Sequence, residues 1–300
     1  MSAALEYVPA AQGFLDPERA GADDPAAARA VVIPFGLEAT VSYGGGTANG
    51  PAAIIAASRQ LELYDDELGR EPYLDFGVAT LRAPEVARPV EAALDQIEGL
   101  VEAVAGQGRF PLVLGGEHAL TPGALRPLAR RHPGLAVLQL DAHADLRESY
   151  LGSRFSHAAA MRRVLDLPGV SLVSVGIRAV SAAEVAFYEA SRDRVAIHWA
   201  RDRALWDLEA MLAPLRGRPL YVTLDIDVLD AAAMPATGTP TPGGLGYEQV
   251  LAVLRHACRV APIVGADLVE LAPIAGLHAC DYTAAALAYK LLAYALSRPA

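Results

Sequence analysis

Residues 138–145 read LQLDAHAD, an apolar run followed directly by Asp141, His143 and Asp145. In a strand, residues i and i+2 share a face and lie about 6.6 Å apart, at about 3.3 Å per residue. Asp141 and His143 are therefore expected to point to one side. Asp145 joins them only if the chain bends after His143, as expected where a strand gives way to a loop. The stretch predicts a strand that carries polar groups at its carboxyl end.

Two further stretches also consist of an apolar run followed by His or Asp residues. In LVLGGEH, residues 112–118, an apolar run and two glycines precede His118, and in YVTLDIDVLD, residues 221–230, Asp225 and Asp227 follow a second run. Taken singly, His118 fits a turn or a helix cap, and the two aspartates fit a solvated strand end. In parallel sheets, however, ligands bind outside the carboxyl ends of the strands. Three such ends together favour one shared site.

The surrounding pattern predicts the fold. Most of the short apolar runs are continuous rather than alternating, as expected for strands covered on both faces. Segments with helical apolar spacing lie between them. We expect a three-layer α/β/α sandwich with a mostly parallel sheet of about eight strands, in one domain 1–300 with an irregular N-terminal extension over about 1–29. The predicted strands are 31–34, 74–78, 111–114, 135–140, 171–176, 194–198, 220–226 and 263–269, and clear helical segments are 90–105, 121–131 and 247–260.

Composition narrows the function classes. The 300 residues are 53% hydrophobic and 20% charged, with a net charge of −10. Such a chain buries a sizeable core, and its acidic surface disfavours nucleic acid and anionic membranes. The longest late apolar stretch, 283–296, is interrupted by Lys290 and is too short to span a bilayer. Two scattered cysteines form no disulfide framework, and the N-terminus does not resemble a signal peptide. We expect a cytoplasmic protein that binds neither nucleic acid nor membranes.

The predicted site also demands cations. Four aspartates at the buried end of an apolar sheet repel one another, and each loses hydration. Two divalent cations would balance the four negative charges. Oxygen-rich ligation with two imidazoles suits manganese, while nickel, iron and cobalt remain open. The sequence therefore predicts two Mn²⁺ ions per chain.

At this point the sequence resembles the ureohydrolase family, most closely its agmatinase branch. The resemblance runs from about residue 30 to the C-terminus. Its motifs are YGGGTANGPAAIIAASRQLELYD (43–65), GGEHAL (115–120), DAHADLRESY (141–150), SH (156–157), DIDVLDAAAMPATGTPTPGGL (225–245) and GADLVELAP (265–273). The family is an α/β/α sandwich around an eight-stranded parallel sheet and usually assembles as trimers or hexamers, so the resemblance implies a homo-oligomer.

The resemblance also implies roles for single residues. His157 matches a histidine thought to shuttle protons, and Glu270 matches a carboxylate that grips the guanidinium group of the substrate. From the sequence alone, His157 is also compatible with a helix cap, whereas Glu270 at an apolar strand end is better explained by a cationic partner. One metal would be held by His118, Asp141, Asp145 and Asp225, and the other by Asp141, His143, Asp225 and Asp227, with Asp141 and Asp225 bridging.

Some positions depart from the commoner family pattern. Glu117 stands where Asp is usual, Ala119 where Ser is usual, and Ala231 where Pro is usual. None of the three is among the implied ligands. The expected effects are confined to the surroundings of the ligands and the stiffness of one loop.

The implied reaction is hydrolysis of agmatine to urea and putrescine. The stretch 146–150 lacks the Asn with which the arginase branch holds an α-carboxylate, and Glu148 suits an ammonium tail. Aminopropylagmatine and guanidinobutyrate remain alternative substrates. A one-zinc deacetylase of related fold is disfavoured because the chain has no His-His pair. A non-catalytic metal-binding member of the fold remains a further alternative.

Overall fold

A single parallel sheet organises the chain in the computed structural model, which describes residues 5–15 and 19–297. Within these residues the sheet has eight strands. In chain order they are β1 (Ala30–Phe35), β2 (Val78–Thr80), β3 (Phe110–Gly115), β4 (Ala136–Leu140), β5 (Ser171–Ile177), β6 (Val195–Trp199), β7 (Leu220–Asp225) and β8 (Ile263–Val269). Their order in the sheet is β2-β1-β3-β8-β7-β4-β5-β6, and every paired neighbour is parallel. The predicted sheet is thereby confirmed.

The helices lie between the strands along the chain. The predicted helical segments 90–105, 121–131 and 247–260 are observed as helices with the same bounds. In chain order the α-helices of the described residues are α1 (Gly50–Ser58), α2 (Tyr73–Phe76), α3 (Val90–Ala105), α4 (Thr121–Arg131), α5 (Ala160–Val164), α6 (Ala182–Ala190), α7 (Leu208–Leu212), α8 (Tyr247–Val260) and α9 (His278–Leu296).

Both faces of the sheet are buried, which explains why the strand sequences are continuously apolar. On β3, Leu112 and Leu114 belong to a core that includes residues of α1, α8 and α9. Val113 between them belongs to a second core with residues of α3, α4 and α5. Successive side chains of a strand point to opposite faces, so each face needs its own apolar residues. The three-layer α/β/α prediction is confirmed.

The predicted strand 74–78 was wrong in its position. Tyr73–Phe76 forms the short helix α2, and the strand begins only at Val78. Gly77 ends the helix with a φ of 58°, and its N–H donates to the carbonyl of Tyr73 at 2.8 Å. Glycine adopts a positive φ of this kind without steric cost, because it has no Cβ. An apolar run this short does not distinguish a helical turn from a strand by spacing alone.

The N-terminal extension is irregular where it is described. Residues 1–4 and 16–18 of the predicted extension lie outside the described residues. The described remainder has two 3₁₀ turns, Ala10–Gln12 and Pro25–Ala27, and neither an α-helix nor a named strand before Ala30. Phe14 is nevertheless buried in the core. The assignment of 1–300 to one domain stays a prediction.

The order of the strands positions the candidate site. Strands β3, β8, β7 and β4 are consecutive neighbours in the middle of the sheet. Because the strands are parallel, their carboxyl ends meet at one edge. His118, Glu270, Asp225 and Asp141 lie at or just beyond these four ends.

Candidate metal centre

His118 lies at the middle of three carboxylates. Its Nδ1 atom is 3.1 Å from Oδ2 of Asp141, 3.2 Å from Oδ2 of Asp145 and 3.3 Å from Oδ2 of Asp225. The imidazole is almost fully buried, with 1% of its side chain exposed. Gly116 permits the preceding turn, because a Cβ at that position would lie 2.0 Å from the carbonyl oxygen of Leu37.

A second group of potential ligands shares Asp141 with the first. Nδ1 of His143 lies 2.9 Å from Oδ2 of Asp227 and 3.7 Å from Oδ1 of Asp141. The ligand atoms of Asp141, His143 and Asp227 all lie within 4.8 Å of one another, as do those of His118, Asp141 and Asp145. The two groups meet at a buried carboxylate, which is the arrangement expected for a bridging ligand.

Strands β4 and β7 both end before the second ligand of each pair is reached. Strand β4 ends at Leu140, and β7 ends at Asp225 and continues as the 3₁₀ turn Ile226–Val228. The assumption that both pairs share the face of a straight strand was therefore wrong. Asp227 instead reaches the site because its backbone N–H donates to Oδ1 of Asp225 at 2.9 Å, which tightens the turn.

The predicted bend after His143 lies at Asp145. Its φ is 52°, in the left-handed region that non-glycine residues rarely adopt. The bend brings its carboxylate back to His118, and the residue remains 5% exposed. Backbone strain of this kind persists only where the surroundings enforce it, and it concentrates at functional sites.

A cavity of about 230 Å³ opens onto this centre. Glu270 follows β8 with a φ of 66°, and its Oε1 accepts the backbone N–H of His118 at 2.7 Å. His157 begins the 3₁₀ turn before α5, and its ring packs edge-on against Tyr150 with centroids 5.9 Å apart. Of the eight residues predicted for the site, six line the cavity, while His118 and Asp141 lie beneath it; the six are His143, Asp145, His157, Asp225, Asp227 and Glu270.

Comparisons with known proteins agree on one family. A model of the arginase family matches residues 28–296. The chain is 37% identical over 276 residues to the N(1)-aminopropylagmatine ureohydrolase of Synechocystis sp., covering 89% of each chain. It is 40% identical over 250 residues to the agmatinase of Bacillus anthracis, covering 81% of this chain and 83% of that one. The chain belongs to the arginase family. The solved agmatine ureohydrolase of Thermoplasma volcanium has the same fold, with a TM-score of 0.81, 33% identity and 90% of both chains covered.

The charges of this arginase-family centre do not balance without cations. Burial raises the pKa of Asp225 well above its usual range, and repulsion by Asp227 and Asp141 adds to the effect. Burial and the charge of Asp141 likewise raise the pKa of Asp145 to about 6. Neighbouring buried carboxylates therefore resist ionising together, as expected when compensating charge is required.

Hydrogen bonding shows that the arginase-family centre fits metal ions. Oγ1 of Thr223 donates its single hydrogen to Oδ1 of Asp267 at 2.6 Å. It must therefore accept from Nε2 of His118, which lies 2.8 Å away. A neutral imidazole protonated at Nε2 has an unprotonated Nδ1, and here Nδ1 faces three carboxylates. Burial alone would lower the pKa of His118, but hydrogen bonding to the three carboxylates raises it well above its usual range. Nδ1 therefore shares a proton with these carboxylates unless a metal cation takes the place of that proton. The donor set thus suits a binuclear divalent site.

The prediction that Glu148 binds the ammonium tail of the substrate was wrong, because Glu148 does not line the cavity. Its carboxylate pairs instead with Arg154, Arg162 and Arg163, at 3.0, 3.1 and 3.1 Å, and is 55% exposed. The three arginine side chains hold the carboxylate of Glu148 away from the cavity. Its neighbour Arg147 lines the cavity instead.

Sequence reasoning missed the residues that support the ligands. Asp267 accepts hydrogen bonds from three hydroxyl groups at the back of His118. Gln139 donates to Oδ2 of Asp141 at 2.8 Å and to the carbonyl of His143 at 3.0 Å. A carboxylate or an amide inside an apolar strand was the available signal, because such groups are buried only with partners. The partners themselves come from other strands, so local spacing does not reveal them.

Proposed function

We propose that this chain hydrolyses agmatine to urea and putrescine at the candidate metal centre. One observation carries the proposal: the carboxyl ends of adjacent strands bring His118, four aspartates and His143 together under a cavity that Glu270 and His157 also line. Agmatinases and an aminopropylagmatine ureohydrolase are relatives over most of the chain. The site residues and their roles follow from this proposal.

The centre would hold two manganese ions. His118, Asp141, Asp145 and Asp225 would bind one, and Asp141, His143, Asp225 and Asp227 the other. When bound, a pair of divalent cations lowers the pKa of water and so supplies a nucleophile near neutral pH. The mixed imidazole and carboxylate set supports manganese. Metal analysis of protein loaded with excess Mn²⁺ tests the expected stoichiometry of two ions per chain.

Glu270 would orient the substrate. Its carboxylate is buried, with 8% of the residue exposed, and the N–H of His118 holds one of its oxygens. Burial raises the pKa of Glu270 to about 8. A guanidinium beside it would favour the charged form and form charge-assisted hydrogen bonds, which carboxylates make in pairs with such planar groups. The guanidinium carbon would thereby be held against the centre.

His157 would supply the proton of the leaving group. The released amine needs a proton as its bond to the guanidinium carbon breaks, and a histidine at the cavity wall is placed to deliver it. Burial lowers the pKa of His157 to about 4. The residue is therefore neutral at rest and gives up a transferred proton readily.

The substrate tail would lie at the cavity mouth beside Arg147 and Tyr150. The guanidinium of Arg147 stacks 4.9 Å from the Tyr150 ring centroid, and its Nε lies 3.7 Å from Oε2 of Glu184. Pairing with Glu184 offsets the positive charge of Arg147, so the ammonium tail of agmatine can lie beside it. Aminopropylagmatine is the alternative supported by the Synechocystis relative. Guanidinobutyrate is a second candidate substrate, because the positive charge of Arg147 itself favours a carboxylate tail.

A substrate panel tests the proposal. Urea release by manganese-loaded protein is measured in parallel with agmatine, aminopropylagmatine, arginine and guanidinobutyrate, and specificity constants are compared. Agmatine is expected to give the highest value. His143→Ala should abolish turnover, whereas His132→Ala, at the C-terminal end of α4, should retain it. Absence of urea from every substrate would refute hydrolysis and favour a binding role.

We further propose a cytoplasmic homo-oligomer, a trimer or hexamer. The resemblance to the family supports this assembly, and the exposed Leu205 (86%) and Leu151 (77%) are side chains that a subunit contact would cover. Cys258 and Cys280 are both free, as expected in a reducing compartment. No helix among residues 5–15 and 19–297 is both long and apolar enough to cross a membrane. Light scattering on the purified protein measures the assembly.

A further inference from the structure

Thr40 connects His157 to a buried carboxylate. The residue lies in the loop after β1, and its Oγ1 atom is 3.2 Å from Nδ1 of His157 and 3.0 Å from Oε2 of Glu117. Its backbone N–H also donates to Oε2 of Glu117 at 2.8 Å. Glu117 is fully buried and is adjacent in sequence to His118. The loop is thus bonded both to the wall of the cavity and to the end of β3.

The directions of these hydrogen bonds follow from the number of hydrogens. The hydroxyl of Thr40 accepts the backbone N–H of His157 at 3.0 Å and has one hydrogen to donate. That hydrogen points to Oε2 of Glu117, the carboxylate oxygen that also accepts the N–H of Thr40. A hydroxyl oxygen has two acceptor sites, so the second accepts from Nδ1 of His157. The other hydroxyl near Nδ1, Oγ of Ser156, lies farther away, at 3.4 Å against 3.2 Å for Thr40. His157 is therefore protonated at Nδ1, and its Nε2 keeps a lone pair.

We propose that Thr40, anchored by Glu117, is a positioning residue that fixes the tautomer of His157 and leaves Nε2 as the nitrogen that transfers the proton. In hydrolysis of a guanidinium group, the water oxygen forms a bond to the guanidinium carbon, the C–N bond to the alkyl nitrogen breaks, and both protons of the consumed water end on the released alkylammonium. Nε2 takes up one of them and gives it to the leaving nitrogen, which receives the electron pair of the broken C–N bond. Nδ1–H stays bonded to Thr40 throughout. The inference rests on the proposed role of His157.

The same contacts hold the ring in position. The backbone of His157 is bound through its N–H to Thr40, so the hydroxyl fixes both the main chain and the ring. Tyr150 also packs edge-on against the ring, at an interplanar angle of 85°. Two constraints on one imidazole leave little rotation about its side-chain bonds. A hydrogen bond to one ring nitrogen likewise selects the tautomer in other histidine sites.

Two substitutions at residue 40 separate the hydroxyl from the shape of the side chain. Thr40→Val keeps the volume but removes the hydroxyl, and Thr40→Ser keeps the hydroxyl. With agmatine as substrate, Thr40→Val is expected to lower kcat by about 10- to 100-fold, since positioned acid–base groups contribute about 10²- to 10⁴-fold. KM should change less than about twofold, because the residue does not touch the guanidinium. Thr40→Ser should retain kcat within about threefold by the same reasoning.

The tautomer is measured directly by nuclear magnetic resonance. Full-length protein carrying ¹⁵N-histidine and loaded with diamagnetic Zn²⁺ gives ring nitrogen shifts, and a His157→Asn spectrum identifies those of His157. The wild type is expected to show the Nδ1-protonated form, and Thr40→Val a shift towards the Nε2-protonated form. Circular dichroism and metal content of Thr40→Val establish that the fold and the centre are intact.

The outcomes distinguish this inference from the proposed function. If the wild type releases no urea from any guanidino substrate, the proposed function fails. If the wild type is active but its His157 is protonated at Nε2, the inference is overturned without recourse to any variant. Full kcat with an unchanged tautomer in Thr40→Val would overturn it as well.

Discussion

Nη2 of Arg178 lies 2.6 Å from the carbonyl oxygen of Asp227, so a half-buried guanidinium holds the backbone of a proposed metal ligand. The same nitrogen donates to the carbonyl oxygens of Leu229 and Thr241, at 3.1 and 2.8 Å. Nη1 donates to the carbonyl of Gly176 at 3.1 Å. One side chain thereby joins the end of β5 to the turn after β7 and to the loop that carries Thr241.

Replacement of Arg178 with Met is expected to destabilise the protein. Several backbone carbonyls would lose their donor, and each buried unsatisfied group costs about 1–3 kcal/mol. We expect the free energy of unfolding to fall by about 2–4 kcal/mol. Urea-induced unfolding at fixed protein and manganese concentrations measures the change. Arg201→Met, whose side chain is 75% exposed, is the matched control and should stay within about 0.5 kcal/mol. Equal effects of the two substitutions would contradict the role of Arg178.

Thr223 is expected to set the metal affinity of His118. Thr223→Val removes the acceptor of the Nε2 proton and frees the imidazole to adopt the other tautomer, whose protonated Nδ1 faces the carboxylates. Loss of such a partner typically weakens metal binding by about 10- to 100-fold. Competition with a chromophoric chelator measures the affinity. Thr223→Ser keeps the hydroxyl and should bind metal like the wild type. A similar loss in both variants would show that packing, not hydrogen bonding, is responsible.

Glu270 is expected to act on the substrate and not on the metals. Glu270→Gln keeps the side-chain volume but removes the charge that would pair with the guanidinium. Loss of one partner of a buried charge pair costs about 2–5 kcal/mol, so kcat/KM for agmatine should fall by at least about 30-fold. Metal content measured on the same sample should remain that of the wild type. Loss of a metal ion together with activity would instead place Glu270 in the structure of the centre.

Parts of the fold were predictable because their signals are local. Continuous apolar runs separated by helical spacing predicted the parallel sheet, and α3, α4 and α8 were located within the chain at their observed bounds. The segment around Tyr73 was mistaken for a strand because four residues contain too little periodicity. Gly77 at positive φ ends that helix, and the sequence alone does not reveal which glycines adopt this conformation.

The ligand residues of the candidate site were predictable from the sequence, but the contacts that orient them were not. Residue types at three strand ends were enough to nominate the ligand groups, which the structure brings within a few ångströms. The contacts that orient them join residues far apart in sequence, such as Thr40 with Glu117 and His118 with Thr223. The orientation of Glu148 depends likewise on arginines of another segment. Only the folded arrangement supplies these pairings.

His157 is expected to make the free energy of unfolding depend on pH. Burial lowers the pKa of its imidazole from an ordinary 6.5 to about 4. Between these values the unfolded chain binds a proton that the folded chain does not, so the free energy of unfolding rises with pH. The contribution is complete above about pH 6.5 and is lost as the pH falls towards about 4. The slope from this one group is at most about 1.4 kcal/mol per pH unit.

His157→Asn removes the titrating group and should flatten this dependence. Urea-induced unfolding of chelator-treated wild type and variant, at matched protein concentration and several pH values across the window, gives the difference between their unfolding free energies. Other acidic groups titrate in both proteins and cancel in that difference. The wild type should lose more stability than the variant as the pH is lowered from above 6.5 towards 4. Parallel curves would mean that His157 is protonated as readily in the folded chain as in the unfolded one, and that the imidazole is not held neutral by burial.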